Sequence, residues 1–279
     1  MRLLALLPLS VVRRLGWLVG VMLFRVVRSR RRIAEANLAL CFPHKSAAER
    51  RAMTRQVFIY FVQAWLDRGW LWHAAPGVTR RRLRMVGDLA QLEGEAPVVL
   101  FAPHFVGLDA GATALSQQIP RRYTTLYAKQ SNPVVDAWIR RGRLRFGQVR
   151  LFGRFSEMKP IVASLRAGEV LYLLPDMDFG AKDAFFVPFY GVPAATLPSL
   201  PRFARLGRAK VVPVLTRLTP QGYDVEILPA WTDYPTQDVE ADTRRMNERL
   251  QSYIDTMPEQ YFWVHKRFKT RPPGEPGVY

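Results

Sequence analysis

From residue 97 onward the chain alternates short apolar runs with longer stretches of helical period, and this alternation restricts its fold more than any other feature. PVVLFA (97–102), YTTLYA (123–128), EVLYLLP (169–175), KVVPVLTRL (210–218) and YDVEILP (223–229) have the length and the β-branched and aromatic content of strands. The intervening segments 107–118, 132–146, 156–167 and 197–206 read as helices, with Ser156 as an N-cap and Gly168 as the glycine just past a C-terminus. A further amphipathic helix is expected over 238–257, where Val239, Met246, Leu250, Tyr253 and Ile254 share one stripe. Strands alternating with helices predict an α/β domain, a largely parallel central sheet flanked by helices. A chain of 279 residues can close one such domain around a substantial core and still carry an appendage.

The appendage is expected at 1–32, ahead of a domain over 33–279 that has a helical lead-in (33–96) and an α/β core (97–279). Residues 37–73 place apolar and aromatic side chains at helical spacing, among them Val57, Ile59, Trp65 and Trp72. Residues 1–32 hold eight arginines and no acid, interleaved with the apolar runs 3–12 and 15–24. As a helix either run covers at most about 20 Å, against the roughly 30 Å of a bilayer's hydrocarbon core. A secretory signal is disfavoured, because RSRRR (28–32) follows where small residues of a cleavage site would stand. The segment is expected to dip into or lie along a membrane with its arginines at the phosphate level. By the positive-inside rule everything after Arg32 would then be cytoplasmic.

Charge narrows the partners. With 41 basic and 23 acidic residues the net charge is +18, which attracts polyanions: nucleic acid, anionic lipid or an acidic protein. No recognised nucleic-acid motif accompanies the charge. A hydrophobic fraction of 49% excludes a disordered chain. The single cysteine, Cys41, excludes an intrachain disulfide and a cysteine-based zinc site, and reads as a small buried hydrophobe in a reducing compartment.

Within the core, residues 102–111 read APHFVGLDAG. His104 and Asp109 are five residues apart, which leaves their side chains about 140° apart on a helix and on opposite faces of a strand. A strand, a turn and a helix start would instead let His104 fold back over Asp109 at the carboxyl edge of the sheet, where open α/β sheets place ligands. A carboxylate on one ring nitrogen fixes the tautomer and leaves the other nitrogen as an acceptor; the same pairing also serves as a purely structural hydrogen bond. No Gly-x-Ser-x-Gly elbow or suitable cysteine is present, so a catalytic pair here would activate a substrate hydroxyl. LPDMDFG (174–180) ends another strand and brings Asp176 and Asp178 toward the same edge, or closes an Asx turn. RRGRLR (140–145) ends a helix with four arginines, as a solvated basic face or a phosphate contact. No metal-ligand spacing links His104, Asp109, Asp176 and Asp178, and no metal is expected.

Together these residues resemble the glycerolipid and lysophospholipid acyltransferase superfamily, whose His-x4-Asp/Glu signature His104 and Asp109 match. Further segments resemble its lipid A biosynthesis branch, the late (secondary) acyltransferases of lauroyl and myristoyl type. They are NLALCFP (37–43), Asn132-Pro133 followed by DAW (136–138), GRLR (142–145), PDMDFG (175–180), VPF (187–189) and PEQYFWVHKRFKTRP (258–272). The resemblance implies a glycerolipid-acyltransferase-like sandwich. It also implies transfer of a fatty acyl chain from acyl carrier protein to the 3-hydroxyl of an acyl chain on the lipid A precursor. In that scheme His104 is the general base and Asp109 orients it. Arg143 is a phosphate or oxyanion partner, with Arg154 as the next candidate, while Asp176 and Asn132 lie at the site. The acid is Asp where many relatives, notably the lauroyl-transferring type, carry Glu. The N-terminal apolar run is shorter than the family's membrane-spanning helix, leaving a single pass and an interfacial anchor both open.

The positive charge suits an acidic carrier protein, an anionic lipid acceptor and an anionic membrane surface alike, with Arg140–Arg145 and Lys266–Arg271 as docking candidates. No cofactor is implied. A monomer at the bacterial inner membrane, its catalytic domain facing the cytoplasm, is expected. An acyltransferase acting on a lysophospholipid or an ornithine lipid is the nearest alternative, and a basic nucleic-acid-binding protein the outside one.

Overall fold

The computed structural model describes residues 1–153 and 156–279; Arg154 lies outside them. Its strands are β1 (Leu83–Gly87), β2 (Val98–Phe101), β3 (Arg122–Tyr127), β4 (Gln148–Gly153), β5 (Val170–Leu173), β6 (Phe185–Phe189), β7 (Val192–Thr196), β8 (Lys210–Thr219) and β9 (Gly222–Ile227). Seven form one sheet in the order β1-β9-β8-β2-β5-β3-β4, parallel throughout except for the β8–β9 hairpin. The sheet is the α/β architecture read from the alternation, and β2, β3, β5, β8 and β9 are the five expected runs. β1 and β4 fall outside that reading because edge strands mix polar and apolar positions, and the separate β6–β7 hairpin carries prolines in both arms.

The centre of the sheet is β2 and β5, whose sequences VVLF and VLYL are buried at every position, as parallel strands covered on both faces must be. Alternation divides their side chains between two cores. Val99, Phe101, Leu171 and Leu173 join one, with Leu38, Leu165, Phe203 and Met246; Val98, Leu100, Val170 and Tyr172 join the other, with Trp70, Ala110 and Ala114. Cys41 is buried in the first core.

The helices are α1 (Leu9–Val26), α2 (Arg28–Cys41), α3 (Ala47–His73), α4 (Pro76–Arg82), α5 (Leu108–Gln118), α6 (Pro133–Arg143), α7 (Met158–Arg166), α8 (Ser199–Gly207) and α9 (Val239–Asp255). The helical pattern over 37–73 is thus two helices, broken around Pro43 and restarted by a capping box in which Ser46 and Glu49 exchange hydrogen bonds. Gly168 closes α7 at φ +80° with its N–H on the Leu165 carbonyl, as expected. Ser156 does not cap that helix: α7 begins two residues later, at Met158, with Glu157 in the cap position.

Residues 1–32 lie along the domain. Val12, Gly16, Gly20 and Phe24 form the buried stripe of α1, and the two glycines bring it against the α3 backbone at Gln63 and Ile59. Arg13 pairs with Asp67 of α3 (2.8 Å), a buried carboxylate that also accepts from Tyr223 Oη and Trp70 Nε1. The opposite side leaves Leu3, Leu6, Trp17, Leu18, Met22 and Val26 exposed. Among the described residues no helix is long and apolar enough to cross a membrane.

One contact positions a site helix directly. Gly142, one residue before Arg143, faces the ring of Trp72, and a Cβ there would lie inside the ring's van der Waals envelope. Replacing a helical glycine by alanine ordinarily gains about 0.5–1 kcal/mol, whereas overpacking costs about 1–3 kcal/mol. Gly142→Ala is therefore expected to destabilise the fold, read as a lower midpoint in thermal or urea unfolding.

Candidate active site

The parallel register pairs Phe101 of β2 with Leu173 of β5, and both strands run on for three residues, to His104 and to Asp176. Equal extension past a paired strand end brings the two side chains to one level. His104 Nδ1 lies 2.7 Å from Asp176 Oδ1, and the His104 backbone N–H donates to Asp176 Oδ2 at 2.9 Å. Tyr261 Oη donates to the same Oδ2 at 3.0 Å. Burial pushes the Asp176 carboxyl up, but the His104 charge and these hydrogen bonds outweigh it and hold the group below the usual carboxylate range. An ionised Asp176 accepts the Nδ1 proton and leaves the lone pair on Nε2.

The carboxylate on His104 is thus Asp176, and the expected His104–Asp109 pairing is corrected. Asp109 lies in the first turn of α5, facing α3 and α6, where it binds two arginines. Arg68 donates through Nε to Oδ2 at 2.7 Å, with Nη2 also 2.7 Å from that oxygen, and Arg143 Nε donates to Oδ1 at 2.8 Å. Burial raises the Asp109 carboxyl, and the charges of Arg143 and Arg68 overcome it and keep the group ionised. The turn does fold His104 back, but toward the neighbouring strand end, because β5 continues at the same level while Asp109 has already entered the helix. Arg68 escaped the sequence reading. Its signal was an arginine among aromatics at helical spacing: it stacks over Trp65 at 4.1 Å and over Trp72 at 5.4 Å.

The C-terminal block closes around this turn. Val106 N–H donates to the Gln260 carbonyl (2.8 Å), Phe262 N–H to the His104 carbonyl (3.0 Å), and the Phe262 ring stacks on His104 with centroids 6.4 Å apart. Asp178 is a structural anchor, accepting from Thr270 N–H (2.7 Å) and Oγ1 (2.8 Å), while its own N–H donates to His265 Nε2 (3.1 Å). Asn37 Nδ2 donates to the carbonyls of Trp263 and His265, both at 2.7 Å. Arg267 is buried and donates to Ala195 and Thr196, and Arg271 donates to Pro193 and pairs with Glu275. Two of the expected docking cations at 266–271 are therefore spent inside the fold. Asn132 does not line the cavity described next: its Oδ1 caps α6, accepting from the N–H groups of Val134 (2.9 Å) and Val135 (3.2 Å).

His104, Asp109, Arg68 and Arg143 lie on the wall of a cavity of about 800 Å³. The rest of its lining is mainly apolar and aromatic, including Phe61, Trp65, Leu115, Tyr123, Ile161 and Phe203. The volume falls within the roughly 300–1,000 Å³ of ligand clefts. The arrangement offers a base at the mouth of an apolar channel, with cationic groups beside it.

The profile of bacterial lipid A biosynthesis acyltransferases matches residues 1–270. The lipid A biosynthesis lauroyltransferase of Escherichia coli (strain K12) is 34% identical over 98% of this chain and 90% of its own length. The lipid A biosynthesis myristoyltransferase of the same organism is also 34% identical, over 95% of this chain and 82% of its own length. The crystal structure of the 1-acyl-sn-glycerophosphate acyltransferase from Thermotoga maritima superposes with a TM-score of 0.42 at 12% identity, over 88% of this chain and 98% of that one, too loosely to bear on fold or function.

His265 makes the closure of the C-terminal block sensitive to pH. Burial, aided by the charges of His104 and Arg267, pushes its ring from 6.5 down to about 4. Between those values the unfolded chain binds a proton that the native one excludes, so this contribution is complete above pH 6.5 and is lost as the pH falls toward 4. The expected loss is on the order of 1 kcal/mol per pH unit. Urea unfolding from pH 7 to 5 should show a steeper decline for the wild type than for His265→Gln; equal slopes would contradict it.

Proposed function

The chain belongs to the bacterial lipid A biosynthesis acyltransferase family, and on that premise we propose that it transfers a fatty acyl chain from acyl carrier protein to a hydroxyl of an acyl chain on the lipid A precursor. The observation that carries the chemistry is His104, fixed by Asp176 on the wall of the apolar cavity. Asp176 accepts the Nδ1 proton, and Nε2 takes the proton of the acceptor hydroxyl as its oxygen attacks the thioester carbonyl. The tetrahedral intermediate collapses with cleavage of the C–S bond, and Nε2 returns that proton to the leaving thiolate. One C–O bond forms, one C–S bond breaks, and the histidine ends neutral. The ionised Asp176 stabilises the imidazolium in between, and Tyr261 and the His104 N–H hold Asp176 in place.

The apolar cavity suits the acyl chain, and its depth sets chain length. Lauroyl- and myristoyl-named relatives share the same 34% identity with this chain, so overall similarity selects neither length. The exposed apolar face of α1, with Trp17, Leu18 and Met22 beside the exposed Arg14, Arg25 and Arg28, fits an interfacial anchor on the anionic cytoplasmic face of the inner membrane.

With purified acyl carrier protein thioester and lipid acceptor, His104→Ala and Asp176→Asn should each lower turnover by about 10²–10⁴-fold while circular dichroism stays unchanged. Wild-type turnover by His104→Ala would overturn the mechanism. Mass spectrometry of lipid A from a deletion strain would reveal the missing acyl chain and its position; unaltered lipid A would overturn the acceptor assignment.

A further inference from the structure

We propose that the two acyl chains of the reaction lie on opposite faces of the sheet: the donor chain in the lobe of the cavity under α5, with its end at Tyr123, and the chain bearing the acceptor hydroxyl in the lobe under α7 and α8. The inference rests on the acyl-transfer reading above and deepens it. Each substrate receives its own apolar space, and Tyr123 becomes the residue that limits donor length.

The sheet opens beside the base. The ladder between β3 and β5 ends at Thr125 and Tyr172, whereas β2–β5 pairing continues to Phe101 and Leu173 and β3–β4 pairing to Tyr127 and Gly153. Leu126, Tyr127, Leu173 and Leu174 flank the resulting gap, and all four line the cavity. Its wall accordingly belongs to both cores. Leu115, Tyr123 and Tyr127 pack with the core under α3 and α5, and Ile161, Phe203 and Leu126 with the one under α7 and α8. Asp176 follows β5, at the edge of the gap, and His104 follows β2, one strand spacing of roughly 4.8 Å further on. Two lobes meeting there suit the chemistry. In the tetrahedral intermediate one chain leaves from the attacked carbon and the other is carried by the attacking oxygen, so the two must diverge from neighbouring atoms.

Depth and closure assign the lobes. Tyr123 pairs with Val170, six residues before Asp176, which puts it about 20 Å below His104 along the strand direction at about 3.3 Å per residue. A membrane acyl chain occupies about 15 Å, half of a bilayer's hydrocarbon core. Tyr123 and Leu115, at 4% and 0% exposure, close this lobe together with Val149, the partner of Tyr123 on β4. The Tyr123 hydroxyl has no hydrogen-bond partner among the described residues, which makes it a polar marker on an otherwise apolar floor. A closed lobe of fixed depth fits a single chain selected by length. The other lobe runs from the buried Ile161 and Phe203 to an open rim with the exposed Met158, Lys182, Asp183 and Arg202. Cations in excess at an open rim fit a chain that remains attached to an anionic lipid.

The test uses donor thioesters and lipid acceptors of graded chain length, together with calorimetric titration of non-hydrolysable amide analogues of the donors. Tyr123→Ala should move the donor optimum to longer chains, raising their kcat/KM by about 10–100-fold relative to the wild-type optimum, and leave the acceptor profile in place. The amides should show the same shift in affinity. They are read without turnover, so failure of the lobe assignment is distinguishable from failure of the acyl-transfer reading. Tyr123→Phe should keep the optimum and weaken binding of a terminally hydroxylated amide of optimal length by about 3–10-fold. Ile161→Phe should raise the acceptor KM by about 10-fold and leave the donor profile unchanged. If Tyr123→Ala or Ile161→Phe fails to fold, Tyr123→Leu and Met158→Trp carry the same comparisons. An unchanged donor optimum on shortening Tyr123 would overturn the proposal, as would a donor optimum moved by filling the other lobe. Equal binding of the hydroxylated amide by wild type and Tyr123→Phe would overturn the placing of the chain end at Tyr123.

Discussion

A carboxylate withdrawn from water stays ionised only if its neighbours replace the lost solvent, and the carboxyl edge of the central sheet is organised around meeting that condition at Asp176. Its oxygens receive the ring and backbone N–H of His104 and the hydroxyl of Tyr261. Those donors come from the segment after β2 and from the C-terminal block, while Asp176 itself follows β5. Three stretches remote in sequence must therefore be correctly placed before the histidine has a defined tautomer.

The remaining polar contacts near the site do the placing. Asn37 holds the carbonyls of Trp263 and His265, Asp178 holds Thr270, and Arg267 ties the same block to β7. Four of the segments that resemble the acyltransferase family (37–43, 175–180, 187–189 and 258–272) meet here, and two of them, 37–43 and 187–189, contribute no residue to the cavity lining. Their specificity lies in shaping the turn that carries His104. On the other side of the cavity Asp109 performs a parallel task, holding two arginines rather than the histidine.

Much of this was legible in advance where a local rule applied. Continuous apolar runs marked the central strands β2 and β5, since a parallel strand buried on both faces can be little else, β-branched and aromatic content marked β3, β8 and β9, and Gly168 marked a helix end where the backbone takes a positive φ. Edge strands β1 and β4 were hidden because half their positions face solvent and dilute the pattern. Arg68 was hidden because its aromatic neighbours at helical spacing read equally well as core, and the carboxylate it braces lies 41 residues away in the chain. Asn132 misled for the complementary reason: a polar residue before proline in a family motif is also a helix cap.

By itself the sequence determined the α/β class, the carboxyl edge of the sheet as the place where His104 stands, and the apolar, arginine-rich character of residues 1–32. These follow from periodicity, strand ends and composition, which are properties of neighbouring residues. Only the tertiary structure decided which aspartate meets the histidine. Spacing along the chain favoured Asp109, five residues away, whereas the register of β2 on β5 delivered Asp176 from 72 residues away. Hydrogen bonding answers to distance in space, and adjacent parallel strands bring their ends together whatever length of chain separates them.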